Sequence, residues 1–172
     1  MIEDFDRSPR FLVSRLWCSG KGHFATRAEF ESSTSGREGF RLIRILIVDD
    51  NPAVRRYLRA ILEQQEGWQV CGEARTGGEA LQKVLESPPD LVVLDYQMPD
   101  LNGVDVAKQI SAMFPKIPIL MVTLHLSSQL ADAARQAGVR GACAKQDIGA
   151  VVEAVELLLH DRTYFPLTSG GV

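Results

Sequence analysis

Three features are scarce or missing in this 172-residue sequence, and each absence excludes a class of protein. The three cysteines, Cys18, Cys71 and Cys143, are odd in number and lack paired spacing, which argues against a disulfide framework or zinc site and indicates reduced thiols. No apolar run approaches the about 20 residues that a membrane-spanning helix needs. The net charge of -3, without a basic stripe, provides no electrostatic basis for binding nucleic acid.

The amino-terminal segment, residues 1–41, differs in composition from the rest of the chain. It begins with Glu3, Asp4 and Asp6, where a signal peptide would carry basic residues followed by a long apolar region. We therefore expect a cytoplasmic protein that makes no membrane contact. The run Ser-Ser-Thr-Ser-Gly at 32–36 is typical of a flexible linker, so we predict a poorly ordered extension over residues 1–41.

Residues 42–161 alternate strand-like apolar runs with segments of helical periodicity, which predicts an α/β fold with a doubly wound, five-stranded parallel sheet. The predicted strands are residues 43–48, 68–74, 91–94, 117–123 and 141–144. Helix starts are predicted at polar caps, namely Asn51, Thr76, and Ser127 or Ser128, and the last helix is predicted to begin near Asp147. The predicted inward faces of the helices include Leu85 and Met113. Residues 162–172 form a tail or the start of a linker.

Polar side chains stand at the ends of four of the predicted strands. Asp49 and Asp50 follow the first strand, and Asp95 follows the third. Thr123 ends the fourth strand, and Lys145 follows the fifth. Right-handed crossovers place the carboxyl ends of parallel strands at one edge of the sheet, so we expect these side chains to meet there.

The residue types at this edge indicate phosphoryl chemistry. Three converging carboxylates repel one another unless a cation lies between them, and oxygen ligands suit Mg2+. A lysine and a hydroxyl supply donors for an incoming phosphate. Taken singly, each residue is most often a turn, cap or surface residue. Their combination favours Asp95 as the nucleophile that forms an aspartyl phosphate, assisted by Mg2+.

Residues 42–160 resemble the receiver domain of two-component response regulators. The pair Asp49-Asp50 matches the acidic pair of that family, and the stretch from Asp95 to Gly103 matches its motif Asp-x-x-Met-Pro-x-x-x-Gly. Thr123 and Lys145 match its hydroxyl and lysine. The resemblance implies a flavodoxin-like, three-layer domain with strand order 2-1-3-4-5.

The resemblance also implies specific roles for these residues. Asp95 would accept a phosphoryl group from a phosphohistidine on a histidine kinase or histidine phosphotransfer protein. Asp50, Asp95 and the backbone carbonyl of Gln97 would hold Mg2+, and Asp49 would assist through water. Lys145 would pair with the phosphoryl group, and Thr123 would move to hydrogen-bond it. Catalysis would be limited to phosphorylation and dephosphorylation of Asp95 itself, and the active form could be a homodimer.

The sequence departs from the receiver pattern at three positions. Ala142 stands where receivers usually carry the Tyr or Phe that swings inward with the threonine. Gln146 replaces a frequent proline, and Leu124 replaces a frequent small residue. The run from Thr123 to His125 and the closing Arg-Thr-Tyr-Phe at 162–165 resemble receivers that precede a LuxR-type helix-turn-helix domain. A stand-alone regulator and a piece of a DNA-binding regulator both remain open.

Two other functions remain open at this stage. The absent aromatic at Ala142 is compatible with a pseudo-receiver that signals by protein contact without phosphate. A Mg2+-dependent phosphatase acting through an aspartyl phosphate would share the chemistry of the site. Such phosphatases usually carry Asp-x-Asp after the first strand, whereas here Asp49 and Asp50 are adjacent and the presumed nucleophile, Asp95, follows the third strand.

Overall fold

The structure, a computed structural model, describes residues 41–166. The predicted extension 1–41 therefore lies outside the described residues except for Arg41. In chain order the elements are β1 (Ile43–Val48), α1 (Pro52–Leu62), β2 (Trp68–Ala74), α2 (Gly77–Glu86), β3 (Leu91–Asp95), α3 (Gly103–Met113), β4 (Ile119–Thr123), α4 (Ser128–Gln136), β5 (Gly141–Ala144) and α5 (Ile148–Leu159). None of these described helices is long and apolar enough to cross a membrane.

The five strands form one parallel sheet in the order β2-β1-β3-β4-β5. Helices α2, α3 and α4 pack on one face, and α1 and α5 pack on the other. β3 is buried along its whole length because it lies at the centre of the sheet and is covered on both faces. This is the predicted flavodoxin-like fold, and its strand order reverses between β1 and β3, where such sheets bind ligands.

The helix starts follow the predicted capping chemistry. Asn51 caps α1, and its side chain accepts a hydrogen bond from the Ala53 N–H. Thr76 caps α2 by accepting from the N–H of Glu79. Ser127, not Ser128, caps α4. The side chains of Asn102 and Asp147 cap α3 and α5 in the same way. Each cap satisfies an N–H that has no partner inside its helix.

Two predicted strand bounds were wrong by one or two residues. β4 begins at Ile119 and not at Ile117, because the Ile117 N–H is used in a turn to the carbonyl of Phe114 and Pro118 has no N–H to donate. β3 continues through Asp95, which pairs with Val122 of β4.

Two side chains predicted to face inward are exposed instead. Leu85 is 58% exposed, because the buried face of α2 is formed by Gly77, Ala80 and Val84, and the next residue lies about 100° further round the helix. Met113 is 43% exposed at the last position of α3.

The chain continues to pack on the sheet after α5. Tyr164 forms a parallel bridge with Gly141, accepts a hydrogen bond from the Ala142 N–H at 2.7 Å, and donates to the carbonyl of Arg140 at 3.0 Å. The next residue, Phe165, packs against the core on the α2–α3–α4 face. The guanidinium of Arg135 on α4 lies 4.0 Å from the centre of the Phe165 ring. The start of the predicted tail thus covers the outer edge of β5.

Candidate functional site

The predicted acidic residues meet at the carboxyl edge of the sheet. Asp49 directly follows β1, and Asp95 is the last residue of β3, the strand beside it. Both carboxylates are buried, whereas the neighbouring Asp50 is exposed. One carboxylate oxygen from each of the three residues lies within 4.8 Å of the others. The strand order therefore assembles the cluster from residues 45 positions apart.

Lys145 connects the two buried carboxylates. Its Nζ lies 2.6 Å from Oδ2 of Asp49 and 2.7 Å from Oδ2 of Asp95. The side chain of Lys145 is only 12% exposed, so the ammonium is largely shielded from water. The register of β4 and β5 places it there, because the Lys145 N–H donates to the carbonyl of Thr123 at the end of β4.

The site shifts the proton affinities of its central groups. Burial raises the pKa of the Asp95 carboxyl above its ordinary value and Asp49 adds to the rise, while Lys145 and the Gln97 N–H oppose it. For Lys145, burial acts to lower the pKa, but the carboxylates of Asp49 and Asp95 together outweigh burial and the pKa is raised. Lys145 therefore stays protonated near neutral pH and compensates part of the acidic charge.

The donor set fits a hard divalent cation. The Oδ2 atom of Asp49 is buried and has no hydrogen bond with acceptable geometry from the described residues, although the Lys145 ammonium lies close to it. Asp50 points into a region exposed to solvent, which leaves room for water ligands. Oxygen-only ligands with open positions for water are the coordination that Mg2+ prefers. The acidic residues present therefore suit the ion that the sequence predicts.

The remaining predicted residues lie around this cluster. The Gln97 N–H donates to Oδ1 of Asp95 at 3.2 Å, so Gln97 is held beside the Asp95 carboxylate. Thr123 is buried at the end of β4, and its hydroxyl accepts a weak 3.4 Å contact from the N–H of His125. The roles of the Gln97 carbonyl and the Thr123 hydroxyl stay predictions.

The loop after Asp95 is held close to the end of β3. The Gly103 N–H donates to the carbonyl of Tyr96 at 2.8 Å, and a Cβ added at Gly103 would lie 2.3 Å from the carbonyl oxygen of Asp95. Only glycine fits at this position of the motif. The carboxylate of Asp100 in the same loop accepts the N–H groups of Gly77 and Gly78, each at 2.9 Å, at the start of α2.

Sequence reasoning missed two residues that support the site. Asp100 lies inside the predicted motif, but its contact with the start of α2 was not predicted. The Gly77-Gly78 pair, whose N–H groups are accessible at the helix start, is the local feature that indicates an acceptor there. Arg55 lies on the inward face of α1 with Leu58 and Leu62 and is 9% exposed. A charged residue in an apolar stripe at that spacing could have drawn attention to it.

The departures from the receiver pattern lie next to the site. Ala142 is fully buried in the core on the face covered by α4. Leu124 is 50% exposed, and its carbonyl accepts a 3.2 Å hydrogen bond from Nε2 of Gln146. The two replacements that follow Thr123 and Lys145 thus connect the loops after β4 and β5.

Fold and site together define a small doubly wound α/β domain with an acidic cluster and a lysine at the carboxyl edge of its sheet. The chain belongs to the response regulator receiver domain family of two-component systems, whose match covers residues 45–156.

Known proteins agree with this assignment. The response regulator GacA of Pseudomonas viridiflava is 32% identical over 124 residues, which are 72% of this chain and 58% of that protein. A protein-glutamate methylesterase/protein-glutamine glutaminase of Pyrococcus horikoshii is 39% identical over 102 residues, 59% of this chain and 27% of that protein. The crystal structure of a LuxR-family two-component response regulator from Aurantimonas sp. SI85-9A1 has a TM-score of 0.70 at 34% identity, covering 73% of this chain and 91% of that one. This chain spans 27% to 59% of the first three curated relatives, so their activities as whole proteins do not transfer to it.

Proposed function

We propose that this chain is a phospho-accepting receiver in which Asp95 takes a phosphoryl group from a phosphohistidine on a histidine kinase or histidine phosphotransfer protein. The observation that supports this most directly is the setting of Asp95. Its carboxylate is buried, lies 2.7 Å from the Lys145 ammonium, and belongs to a cluster with Asp49 and Asp50. A structural aspartate capping a turn would need neither the lysine nor two further carboxylates.

The reaction is a displacement at phosphorus. A carboxylate oxygen of Asp95 forms the new P–O bond, the P–N bond of the phosphohistidine breaks, and its electron pair leaves with the imidazole. Asp50, Asp95 and the Gln97 carbonyl would hold Mg2+, with Asp49 acting through water. When bound, the ion neutralises charge on the transferring oxygens. Lys145 supplies a second positive charge and loses its ion pair with Asp95 as the acyl phosphate forms.

The conformational response starts at Thr123. A buried hydroxyl at the end of β4 can turn toward a phosphoryl group on Asp95 of the adjacent strand. The usual accompanying movement of an aromatic side chain is not available, because that position is Ala142. Output occurs through protein–protein contact, and phosphorylation favours a homodimer. Catalysis by the chain is confined to forming and hydrolysing its own acyl phosphate.

The domain boundaries and setting belong to the same proposal. Residues 42–161 form the receiver, residues 1–41 are an extension, and residues 162–172 are a tail or the start of a linker. The receiver functions in the cytoplasm, without binding membrane or nucleic acid directly. It acts alone or as part of a longer transcriptional regulator, as the relatives named as regulators suggest.

The test is activation by beryllium fluoride, a mimic of the acyl phosphate, in the presence of Mg2+. We expect NMR shift changes at the amides of Gln97 and Thr123 in the full chain, and their loss in Asp95→Asn. Asp132→Asn is the matched control, because this exposed carboxylate on α4 pairs only with Arg135 among the described residues. Trp68 lies at the start of β2, at the opposite edge of the sheet, so NMR reports the site better than tryptophan fluorescence.

Two results would contradict the proposal. If the wild type neither responds to beryllium fluoride nor takes up label from acetyl phosphate or a phosphorylated kinase, the pseudo-receiver is the better description. Multiple turnover of a phosphate ester, abolished in Asp95→Asn, would instead identify a phosphatase.

A further inference from the structure

Asp50 is the member of the acidic cluster whose side chain is least restrained. The carboxylates of Asp49 and Asp95 each accept a backbone N–H and pair with Lys145. The carboxylate of Asp50 is exposed and makes no hydrogen bond or ion pair within residues 41–166. Its position relative to the other two therefore depends on the backbone between β1 and α1.

Arg55 holds that backbone. Its Nη1 donates to the carbonyl of Asp49 at 2.8 Å and to the carbonyl of Asp50 at 3.1 Å. The side chain lies under the loop, almost removed from solvent, on the face of α1 that packs on the sheet. Charge-assisted hydrogen bonds of a shielded guanidinium are stronger than those in open water. Both carbonyls of the acidic pair are therefore fixed by one side chain.

Arg55 is itself fixed from β2. Its Nε donates to Oε2 of Glu73 at 2.9 Å, and the other oxygen of Glu73 accepts from Nε of Arg59 at 2.8 Å. The two arginines thus share one carboxylate, but only Arg55 also reaches the acidic pair. This planar fork links α1, β2 and the loop after β1, and lysine cannot reproduce its geometry.

We propose that Arg55 is a positioning residue for the divalent-cation site, holding the Asp49-Asp50 backbone so that the Asp50 carboxylate stays beside Asp49 and Asp95. The inference rests on the Mg2+ binding of the proposed function. If Arg55 positions the acidic pair, its removal weakens Mg2+ binding. A purely electrostatic role predicts tighter Mg2+ binding instead, because a cation near the acidic pair repels Mg2+. The direction of the change in affinity therefore distinguishes the two roles.

The experiment measures the dissociation constant of Mg2+ alone by NMR titration of the full chain, following the amides of Asn51 and Gln97. Loss of a partner that orients a metal ligand typically costs 10–100-fold in affinity, so we expect about 10-fold weaker binding in Arg55→Met. Arg55→Lys can still reach one carbonyl, and it should be intermediate. Glu73→Gln, which weakens the anchor of Arg55, should shift the affinity in the same direction.

Arg59→Gln is the matched control. It removes the other arginine on Glu73 and should lower the melting temperature while changing the Mg2+ dissociation constant by less than about twofold. Titrations are run well below the melting temperature of each variant, so lost stability alone does not change the affinity. If Arg55→Met does not fold, Arg55→Lys and Glu73→Gln decide the question.

Unchanged or tighter Mg2+ binding in the folded Arg55 variants would overturn this inference and leave the proposed receiver intact. A wild type that binds no Mg2+ would overturn both. Weaker binding in the Arg55 variants and in Arg59→Gln alike would also overturn it, because the effect would then follow the Glu73 ion pairs and not the carbonyl contacts.

Discussion

Replacing Gly103 by alanine tests whether the loop after β3 must lie directly against Asp95. A Cβ at this position would lie 2.3 Å from the carbonyl oxygen of Asp95 and 2.8 Å from Cα of Tyr96, whereas ordinary contact begins at 3.4 Å. Both neighbours are backbone atoms, so no side chain can rotate to relieve the clash. The loop must move away from β3 by about 1 Å.

Moving the loop lowers the free energy of unfolding in two ways. Separation weakens the 2.8 Å hydrogen bond from the Gly103 N–H to the Tyr96 carbonyl, which is worth about 1 kcal/mol. Overpacking against fixed atoms costs about 1–3 kcal/mol more. The higher helix propensity of alanine offsets little of this loss in stability, because Gly103 is the first residue of α3. We expect Gly103→Ala to lower the free energy of unfolding by about 2–4 kcal/mol.

Urea unfolding followed by circular dichroism measures this change. For a slope of about 2 kcal/mol per molar urea, the midpoint should fall by about 1–2 M. Gly78→Ala is the control, because its nearest neighbour would be Oδ2 of Asp100 at 3.6 Å, and it should be neutral or stabilising by up to about 1 kcal/mol. A Gly103→Ala variant within about 0.5 kcal/mol of the wild type would refute the reasoning.

Three further predictions concern the surroundings of the site. The pKa of Glu73 is lowered in the folded protein, chiefly by its hydrogen bond from Arg59. The ionised Glu73 therefore stabilises the fold at pH values above its unfolded pKa of 4.5, and this stabilisation is lost as the pH falls through the lower pKa of the folded state. Glu73→Gln should therefore lower the free energy of unfolding at pH 6, and its difference from the wild-type free energy should shrink below about pH 4.5. A difference in the free energy of unfolding that does not change with pH would contradict this. Phe165→Ala should cost about 1–3 kcal/mol in urea unfolding, since the ring is partly buried against the core and stacked on an arginine; no loss would show that the segment after α5 does not pack in solution. Burial raises the pKa of Cys143 to about 12, so peptide mapping after iodoacetamide treatment should find Cys71 modified and Cys143 protected until urea unfolds the chain.

Local signals in the sequence were sufficient for most of the fold. Apolar runs bounded by Asn, Thr, Pro and Gly located the five strands. Asn51 and Thr76 cap helices where predicted, because capping depends on residues three positions away at most. The errors fall where local preference competes with packing. Ile117 has strand propensity but lies in a turn, and Leu85 is apolar but lies beyond the buried face of its helix.

The residue types of the site were also readable from the sequence. Asp49, Asp95 and Lys145 each follow or end an apolar run, and parallel strands bring such positions to one edge whatever their separation along the chain. The sequence could not indicate that the lysine would bridge both buried carboxylates, because that depends on the register between β4 and β5.

The acidic pair and the motif from Asp95 to Gly103 were thus determined by the sequence alone, while the contacts that hold them in place were decided by tertiary structure. The position of Arg55 in the apolar stripe of α1 is visible in the sequence, but only the packing of α1 against β2 removes it from water and pairs it with Glu73. Tertiary structure also directs it to the carbonyls of Asp49 and Asp50. Phe165 follows the last predicted helix, yet it lies on the same face of the sheet as Ala142, where the usual aromatic is missing. Both placements depend on partners distant in sequence, Glu73 for Arg55 and Arg135 for Phe165, and no local pattern specifies such a partner.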